Sequence, residues 1–264
     1  MMNQPLVRWV DLGLDPTISL GFTSRSGGFS DGDWGGLNLG FHVADDPATV
    51  ARNRQLLATE LGVPVVWMDQ VHGSHIADAR HAQIDDNGFL NVGQADGIII
   101  ERPVIGDGLA AAVMVADCIP LLIADRTGQR GAVVHVGRAG MDKNIAGAAV
   151  AQLVARGSAV TDLRAVLGPS ICGSCYEVSP ELAADVGMRH PQALSQTRFG
   201  TPGLDIRSGL LSQLDGLGVA AVDDDICTYE TTGYYSFRRS THERSHSGRF
   251  VGIVRLLAKT HRAK

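Results

Sequence analysis

The sequence predicts a mixed α/β (α+β) fold in which layered mixed β-sheets are flanked by helices. Short apolar runs rich in β-branched residues recur along the chain, and some of them follow one another directly. Segments with helix-capping residues separate the groups of runs. We find neither a low-complexity linker nor an internal repeat in the 264 residues, so we expect one domain over residues 1–264.

The first half of the chain is predicted to hold one helix and four strands. Asp46 followed by Pro47 is typical of an N-cap and first helical position, and Gly62 ends a helix that runs to about Leu61. Pro64, at a position where proline is tolerated, leads into a strand over residues 65–71. Further strands are predicted over residues 97–101, 110–115 and 119–124.

The second half is predicted to alternate strands with helices. Residues 125–128 indicate a turn into a strand over 131–136, and Asp142 is expected to cap a helix that continues to about Arg156. A strand over 163–167 follows. Residues 180–187 and 206–216 are predicted to be helical, and a last strand covers residues 250–256.

Composition and charge argue against several classes of partner. The chain is 44% hydrophobic and 19% charged, which suits a globular protein with a sizeable core. Its net charge of −5 provides no broad basic field, so no nucleic-acid partner is expected. The longest apolar stretch, residues 109–116, ends at Asp117 and is too short to span a membrane.

The cysteines and the first residues bear on cellular location. The opening MMNQPLVRWVDLGL lacks a basic region followed by a long apolar one, so no secretory signal is predicted. Four cysteines without an obvious disulfide framework fit reduced thiols. We therefore expect a cytoplasmic protein with no membrane partner.

Side chains that are costly to bury stand at the ends of the most strand-like segments. Asp117 and Cys118 interrupt VADCIP (115–120), His135 lies in VVHVGRAG (133–140), and His72 lies in QVHGSH (70–75). Burying such groups costs free energy unless they find partners. We therefore consider that the thiol and the two imidazoles converge on a single pocket.

Two chemical uses fit Cys118, His72 and His135. They could bind Zn²⁺ or copper and leave a fourth position open for water or substrate. Alternatively, Cys118 could be a thiolate nucleophile, paired with a histidine and oriented by Asp117. A packed core cysteine with two hydrogen-bonded histidines is the third interpretation, and spacing alone leaves all three open.

Another pair of thiols, Cys172 and Cys175, has the CxxC spacing of redox pairs and of halves of zinc knuckles. No second CxxC follows in the sequence. Gly168-Pro169 ahead of the pair indicates a turn rather than the start of a thioredoxin-like helix. We therefore favour a pair without a redox or metal function.

A series of motifs occurs in order along the chain: TSRSGGFS (23–30), GGLNLGFHVADDP (35–47), NR (53–54), WMDQVHG (67–73), QADG (94–97), VADCIPLL (115–122), HVGRAG (135–140), LGPSICGSCYEV (167–178), CT (227–228), SFRR (236–239) and SGR (247–249). The series resembles the YfiH family, also labelled multicopper polyphenol oxidase or laccase-domain proteins. The resemblance extends from about residue 20 to 255 and depends on the whole series rather than on any one motif.

The resemblance implies a single-domain α/β fold related to cysteine-hydrolase-like domains. It implies that the family's metal ligands fall on His72, Cys118 and His135, with zinc as the metal and copper in some members. It also implies phosphorolysis of adenosine, inosine, guanosine and methylthioadenosine, with adenosine deamination as a second activity. Purine nucleosides and phosphate would then be the partners of a monomer or weak dimer.

The chain departs from the family at two places. The family usually reads HAGWRG where this chain reads HVGRAG, so Ala139 stands where an arginine is expected and Arg138 where a tryptophan is. A missing guanidinium puts phosphate handling in doubt, because Arg138 need not reproduce its geometry. In the usual GPxIGPCCYEV, Cys172 and Gly173 replace Gly-Pro and Ser174 replaces a cysteine, which weakens a redox role for the CxxC pair.

Further candidates for the site follow from residue chemistry within these motifs. Asp117 is the nearest acid–base group for deamination, with a structural partnership to a backbone N–H or an arginine as the alternative. Guanidinium and amide groups that could bind substrate, or else serve packing, turns and salt bridges, are supplied by Arg25, Asn38, Gln70, Arg239 and Arg249. Tyr176 and Glu177 are possible pocket walls.

Three classes of function therefore remain. The preferred one is a zinc-assisted purine nucleoside phosphorylase and deaminase. The second is a copper-dependent polyphenol oxidase (laccase), which nine histidines without an HxH pair argue against. The third is a cysteine hydrolase or an editing factor for peptidoglycan precursors that uses Cys118 as its nucleophile.

Overall fold

Two β-sheets stack face to face, and helices cover their outer faces. The computed structural model describes residues 5–104 and 106–259. The helices are α1 (Pro47–Leu61), α2 (Arg138–Asp142), α3 (Ile145–Ala155), α4 (Pro180–Arg189), α5 (Ile206–Gly216) and α6 (Phe237–Glu243). No helix among these described residues has both the length and the apolar character needed to cross a bilayer.

The first sheet has seven strands and mixed pairing. Its strands are β1 (Val7–Val10), β2 (Ile18–Thr23), β3 (Val65–Asp69), β5 (Gln83–Ile84), β6 (Leu90–Gln94), β8 (Gly108–Val115) and β15 (Phe250–Leu257). The intervening strand β4 (Ile76–Asp78) belongs to the second sheet. Their order is β1-β2-β15-β8-β3-β6-β5. The β3 strand pairs in parallel with both β8 and β6, and the other pairs are antiparallel.

The second sheet has six strands, and a short hairpin lies apart from both sheets. Besides β4, the second sheet contains β7 (Gly97–Glu101), β9 (Ile119–Asp125), β10 (Arg130–Val136), β11 (Leu163–Leu167) and β14 (Ala220–Asp223), and the hairpin contains β12 (Leu194–Gln196) and β13 (Pro202–Leu204). The strand order is β14-β11-β9-β10-β7-β4. This arrangement of mixed sheets and helices confirms the predicted fold class.

Strand alternation divides the interior into three apolar layers. Along β8, Val113 faces the second sheet whereas Ala112 faces α1. Along β10, Val133 faces the first sheet whereas Val134 faces α3 and α5. Both sheets therefore carry near-continuous apolar runs, because each is covered on both faces. Burying one valine or leucine side chain contributes about 1.5–3 kcal/mol.

The first predicted helix is confirmed at both ends. The Asp46 side chain accepts the backbone N–H of Thr49 at 2.9 Å, and Pro47 occupies the first helical position. At the other end Gly62 adopts φ +68°, the left-handed conformation that glycine permits, and its N–H bonds to the carbonyl of Ala58. The strands predicted over 97–101, 110–115, 119–124, 131–136, 163–167 and 250–256 are also present.

Two predicted boundaries were wrong. The strand expected over 65–71 ends at Asp69, after which the chain turns. The helix expected to begin after Asp142 is instead capped by Asn144, whose side chain accepts the N–H of Gly147 at 3.2 Å. Asp142 is the last residue of the short helix α2, and its carboxylate binds Arg189 at 2.7 Å.

Candidate metal centre and cavity

Three side chains from distant parts of the chain converge at one edge of the second sheet. His72 follows β3, Cys118 directly precedes β9, and His135 lies near the end of β10. Their donor atoms all lie within 4.8 Å of one another, and Cys118 Sγ is 4.0 Å from His72 Nε2. The two imidazole rings meet edge to face with centroids 4.6 Å apart. The predicted convergence is therefore present in the structure.

Strand register and backbone conformation bring these side chains together. Antiparallel pairing of β9 with β10 sets Val136 opposite Ile119, so Cys118 and His135 lie at neighbouring ends of the ladder. His72 adopts φ +56°, an uncommon conformation for a residue with a Cβ. Its carbonyl accepts a hydrogen bond from Lys143 Nζ at 3.1 Å. His72 is exposed, Cys118 is half-buried, and His135 is 4% exposed, so solvent reaches the site from the His72 side.

Asp96 organises this turn, and the sequence reasoning did not identify it. Its fully buried carboxylate accepts the backbone N–H groups of His72 at 2.9 Å and Gly73 at 2.6 Å. The same carboxylate lies 2.8 Å from Nδ1 of His135. With Nδ1 engaged by the carboxylate, Nε2 of His135 is left free to act as a donor atom toward Cys118 and His72. Asp96 is the acidic residue of the QADG motif (94–97), and its place in that motif was the one sequence feature that could have identified it.

Gly137 makes room for the cluster. A Cβ at this position would lie 2.9 Å from Cys118 Sγ and 3.3 Å from His72 Cδ2. Side-chain carbons do not approach sulfur that closely, so any larger residue would displace the thiol. Glycine is needed here for close approach rather than for its backbone conformation, since its φ is −85°.

The electrostatics of the cluster favour a positive charge between Cys118 and Asp96. Burial opposes a Cys118 thiolate, but the charge and hydrogen bonding of His135 and His72 outweigh it and lower the pKa of the thiol to about 6. Burial likewise opposes an imidazolium, yet the Cys118 charge and the Asp96 carboxylate raise the pKa of His135 to about 9. One thiolate and two imidazole nitrogens are a donor set that suits Zn²⁺ or copper, and binding such an ion displaces the proton from Nε2 of His135. The residues present therefore fit the metal that the family resemblance implies.

A cavity of about 440 Å³ opens beside the cluster. Its walls include apolar and aromatic side chains, notably Met114, Val136, Ile171, Tyr176, Ile206 and Phe237. Phe237 is 59% exposed, so it stands at the solvent side of the cavity. The combination of an apolar wall with a few polar groups is typical of a small-molecule site.

Three arginines and a further histidine, His42, also line the cavity. Arg138, Arg238 and Arg249 contribute positive charge, and Arg238 lies over the Tyr176 ring at 5.1 Å. Burial, together with the charges of Arg249 and Arg54, lowers the pKa of His42 to about 4. His42 is therefore neutral at physiological pH and can accept or donate one hydrogen bond per nitrogen. Neither His42 nor Arg238 was singled out from the sequence.

Asp117 and Gln70 line the cavity, but their polar atoms are already engaged. Asp117 adopts φ +89° and accepts hydrogen bonds from Thr228 Oγ1 and the backbone N–H of Arg238, both at 2.6 Å. The Gln70 amide pairs with both backbone groups of Met114 at 2.8 Å. This corresponds to the structural alternative considered for Asp117, and Gln70 connects the end of β3 to β8.

Three of the predicted substrate-binding residues do not line this cavity. Asn38 is fully buried, bonding Asp45 and the backbone N–H of Arg249 at 2.8 Å. Arg25 and Arg239 line a separate cavity of about 200 Å³, where Arg239 binds backbone carbonyls such as that of Thr228 at 2.6 Å. Their substrate-binding role stays a prediction that the lining of the larger cavity does not support. Arg249 is the one predicted arginine that lines it.

In the HVGRAG segment (135–140), where the chain departs from the family, Arg138 still reaches the cavity. Arg138, one position before the residue where the family has its arginine, itself lines the cavity as the first residue of α2. Arg138 therefore brings a guanidinium to the cavity, although Ala139 stands where the family has its arginine.

Comparison with known proteins agrees with this fold. Residues 19–257 match the family model described as multi-copper polyphenol oxidoreductase laccase. A Streptomyces coelicolor protein named purine nucleoside phosphorylase is 40% identical over 240 residues, which cover 89% of this chain and 93% of that protein. A Mycobacterium tuberculosis protein of the same name is 39% identical over 239 residues, covering 88% and 89% of the two chains.

A solved structure adds the fold itself. The crystal structure of the YfiH protein from Bacillus licheniformis superposes with a TM-score of 0.80 at 26% identity, covering 97% of this chain and 98% of that one. The resemblance drawn from the ordered motifs is thereby confirmed, as is the mixed α/β architecture that it implied.

Proposed function

This chain belongs to the multi-copper polyphenol oxidoreductase laccase family, and from that premise we propose that it is a metal-dependent purine nucleoside phosphorylase. The observation that carries the proposal is the composition of one cavity. It joins the donor set of His72, Cys118 and His135 to three arginines and an aromatic wall. The names of the relatives from Streptomyces coelicolor and Mycobacterium tuberculosis support the same activity.

The apolar part of the cavity suits a purine base. Phe237 and Tyr176 offer ring faces, and a flat heteroaromatic base stacks favourably on such faces. A volume of about 440 Å³ lies within the range of about 300–1,000 Å³ found for small-molecule sites. We propose adenosine, inosine, guanosine and methylthioadenosine as the substrates.

The arginines suit the second substrate, phosphate. Arg138, Arg238 and Arg249 present guanidinium groups, which bind phosphate oxygens through charge-assisted and often bidentate hydrogen bonds. Burial lowers the pKa of Arg249, but the guanidinium still stays charged at neutral pH. An anion in the cavity would offset the cost of keeping that charge partly buried.

Phosphorolysis would use both the apolar wall, which holds the base, and the arginines, which hold the phosphate. A phosphate oxygen forms a bond to C1′ of the ribose while the C1′–N9 bond breaks and its electron pair leaves with the purine. The purine takes up the proton that the phosphate gives up. The sugar acquires positive charge in the transition state, so arginines that hold the phosphate beneath it orient the nucleophile and limit its approach to one face.

His72, Cys118 and His135 would hold the metal, for which we propose zinc. When bound there, a zinc ion supplies a Lewis acid that polarises a nearby oxygen or nitrogen of the substrate. Asp96 keeps His135 oriented for that task through the Nδ1 contact. Copper remains the alternative metal, because two nitrogens and one thiolate suit both ions.

Adenosine deamination as a second activity is also proposed, but with a changed role for Asp117. Both of its carboxylate oxygens already accept hydrogen bonds from Thr228 and Arg238. We infer that Asp117 holds α6 and the loop around residue 228 against the cavity instead of transferring a proton.

One observation favours a second function. Cys118, His135 and Asp96 stand in the order thiol, imidazole and carboxylate, with His135 Nδ1 2.8 Å from Asp96. That order is the one used by cysteine hydrolases. A bound metal would engage the thiolate and remove it as a free nucleophile, so metal content distinguishes the two functions.

The test combines metal analysis with product analysis. The purified chain is analysed by mass spectrometry for zinc and copper and is then incubated with inosine or adenosine, with and without phosphate. Free base and pentose-1-phosphate formed only when phosphate is present support the proposal. Inosine formed from adenosine identifies deamination.

Two variants check the residues. Cys118→Ala and His135→Ala are expected to lose the metal held at His72, Cys118 and His135 together with phosphorolysis, whereas Asp185→Asn, a change on the exposed surface of α4, should keep both. Full turnover by either site variant would overturn the assignment. A wild type that holds no metal at His72, Cys118 and His135 and hydrolyses an acyl or amide substrate would favour the thiol hydrolase.

A further inference from the structure

A second cluster of metal-binding groups lies apart from the cavity donors. Cys172, Cys175, Cys227 and Glu230 each offer one donor atom, and these atoms all lie within 4.8 Å of one another. None of the cysteines is in a disulfide. We propose that these four residues form a structural Zn²⁺ site, in addition to the site at His72, Cys118 and His135.

The spacing of the four residues is that of two paired knuckles. Cys172-x-x-Cys175 had no second CxxC in the sequence, but the structure sets Cys227-x-x-Glu230 against it. Glu230 therefore occupies the position at which a four-cysteine site would have its last thiolate. Structural zinc sites are typically built from such pairs of tight turns, and a carboxylate oxygen is an accepted zinc ligand.

Sheet topology places the two turns side by side. Cys172 follows β11 and Cys227 follows β14, and these strands run parallel and in register. Ser170 and Cys227 continue that pairing as a parallel bridge. The carbonyl of Cys172 then accepts the N–H of Cys175 at 3.0 Å, and the carbonyl of Cys227 accepts the N–H of Thr231 at 2.9 Å. Both chains thus turn at the same edge of the sheet.

The distances and burial suit a tetrahedral ion. Zinc–sulfur bonds of about 2.3 Å place the ligands of such a site about 3.8 Å apart, so a spread within 4.8 Å needs only small side-chain shifts. Cys175 and Cys227 are buried, Cys172 is half-buried, and Glu230 is exposed. The ion can therefore enter from solvent on the Glu230 side.

Arg198 supplies part of the positive charge that this ligand set needs around it. Three thiolates and one carboxylate exceed the charge of a divalent cation by two. Arg198 Nη2 lies 2.6 Å from Cys175 Sγ and also contacts the Glu230 carboxylate. A guanidinium that bonds to two of four ligands is typical of the shell that orients a metal site. The backbone N–H of Cys172 also points to Cys227 Sγ at 3.5 Å.

The proposed ion would fix one wall of the cavity. Tyr176, next to Cys175, lines that cavity, and Thr228, next to Cys227, donates to Asp117 at 2.6 Å. A cross-link between the two turns would hold both of these residues in place. This role is structural and independent of the chemistry proposed for the cavity.

The experiment counts zinc in the full chain by native mass spectrometry, using Zn²⁺ alone as the probe. Wild type is expected to hold two ions, and the variant His72→Ala/His135→Ala is expected to keep one. Glu230→Gln should weaken retention of the remaining ion against a chelator, and Glu230→Cys should strengthen it. Asp185→Asn, a change on the exposed surface of α4 at a residue that supplies no ligand, should retain the wild-type count.

The design separates this proposal from the proposed activity, because the His72→Ala/His135→Ala variant is read by metal content alone. Glu230 is exposed, so its substitutions do not threaten the core. With Co²⁺ in place of zinc, the same variant should show sulfur-to-cobalt charge-transfer absorption that Cys227→Ser reduces. A metal-free His72→Ala/His135→Ala variant overturns the proposal, as does the loss of two titratable thiols to a disulfide between cluster cysteines.

Discussion

The Asp96 carboxylate lies 2.8 Å from Nδ1 of His135 and simultaneously accepts the backbone N–H groups that hold the turn at His72. One buried side chain therefore orients two of the three donor residues. Burial disfavours its negative charge, but the contact with His135 and the N–H groups of the turn outweigh burial and lower the pKa of Asp96. Asp96 thus acts on the proposed metal site without touching the metal.

Replacing Asp96 by asparagine should weaken metal binding more than it weakens the fold. The amide keeps the shape but loses the charge and one acceptor oxygen, so His135 and the turn at His72 are held less firmly in the orientation that leaves Nε2 of His135 free. Loss of such a supporting carboxylate costs about 10–100-fold in metal affinity. The measurement is a competition between the protein and a chromophoric zinc chelator.

Asp185→Asn removes the same charge from an exposed residue and should leave zinc affinity unchanged. Adding excess zinc should recover much of the activity of Asp96→Asn. Unaltered zinc affinity in Asp96→Asn would show that His135 needs no such support.

Substituting Gly137 by alanine should disrupt the donor cluster while preserving the surrounding sheets. The new Cβ would lie 2.9 Å from Cys118 Sγ, which forces the thiol or the strand end to shift. We expect loss of the metal held at His72, Cys118 and His135 and loss of phosphorolysis, with an intact circular dichroism spectrum. Gly216→Ala is the matched control, because a Cβ there meets nothing within 4 Å. Full metal occupancy in Gly137→Ala would contradict the close approach.

The sequence could predict elements whose signals are local. The helix from Pro47 to Leu61 was predicted at both ends, because Asp46 and Gly62 act on backbone groups within the same turn of chain. The predicted cap at Asp142 was wrong because of a distant contact. The Asp142 carboxylate binds Arg189, 47 residues away, and Asn144 caps the helix instead.

The candidate site shows the same division between local and distant signals. The convergence of His72, Cys118 and His135 was foreseen, because strand ends of a layered sheet meet at common edges. The role of Asp96 and the pairing of Cys172 with Glu230 were not foreseen, because both depend on contacts between segments far apart in sequence. Short edge strands such as Gln83–Ile84 were also missed, because two residues carry no periodicity.

Replacing Arg138 by alanine should raise the KM for phosphate and change the KM for inosine much less. A hydrogen bond to a charged group contributes about 1.5–3 kcal/mol, which corresponds to roughly a 10–100-fold increase in the KM for phosphate. Steady-state kinetics with each substrate varied in turn measure the difference. Arg52→Ala is the control, because Arg52 is exposed on α1 and lies over the Phe29 ring at 4.1 Å, away from the cavity.

The same experiment decides between two accounts of the HVGRAG segment. If Arg138 serves phosphate, Ala139→Arg should bring little improvement to wild type. A large gain in phosphate use by Ala139→Arg, with no effect of Arg138→Ala, would instead show that the absence of an arginine at position 139 limits phosphate binding.

Asp78 should stabilise the protein at neutral pH and lose that effect in acid. The carboxylate at the end of β4 binds Arg80 at 2.7 Å and Arg156 at 2.8 Å, and its side chain is 9% exposed. Burial opposes its ionisation, but hydrogen bonds from Arg80 and Arg156 outweigh burial and hold the pKa of Asp78 well below its usual range. Because the pKa is lower in the folded state, the stabilisation is present above the unfolded-state pKa of about 3.9 and disappears as the pH falls toward the folded value.

The variant Asp78→Asn should therefore lower the free energy of unfolding by about 1–3 kcal/mol at pH 7, since it leaves Arg156 with one carboxylate partner fewer. The difference from wild type should shrink as the pH is lowered below about 3.9, because protonation removes the same charge from the wild-type side chain. Urea unfolding at a series of pH values measures both quantities. Asp185→Asn breaks an exposed pair with Arg189 and should leave the free energy of unfolding nearly unchanged at every pH. A pH-independent difference between Asp78→Asn and wild type would mean that Asp78 acts through its shape and not through its charge.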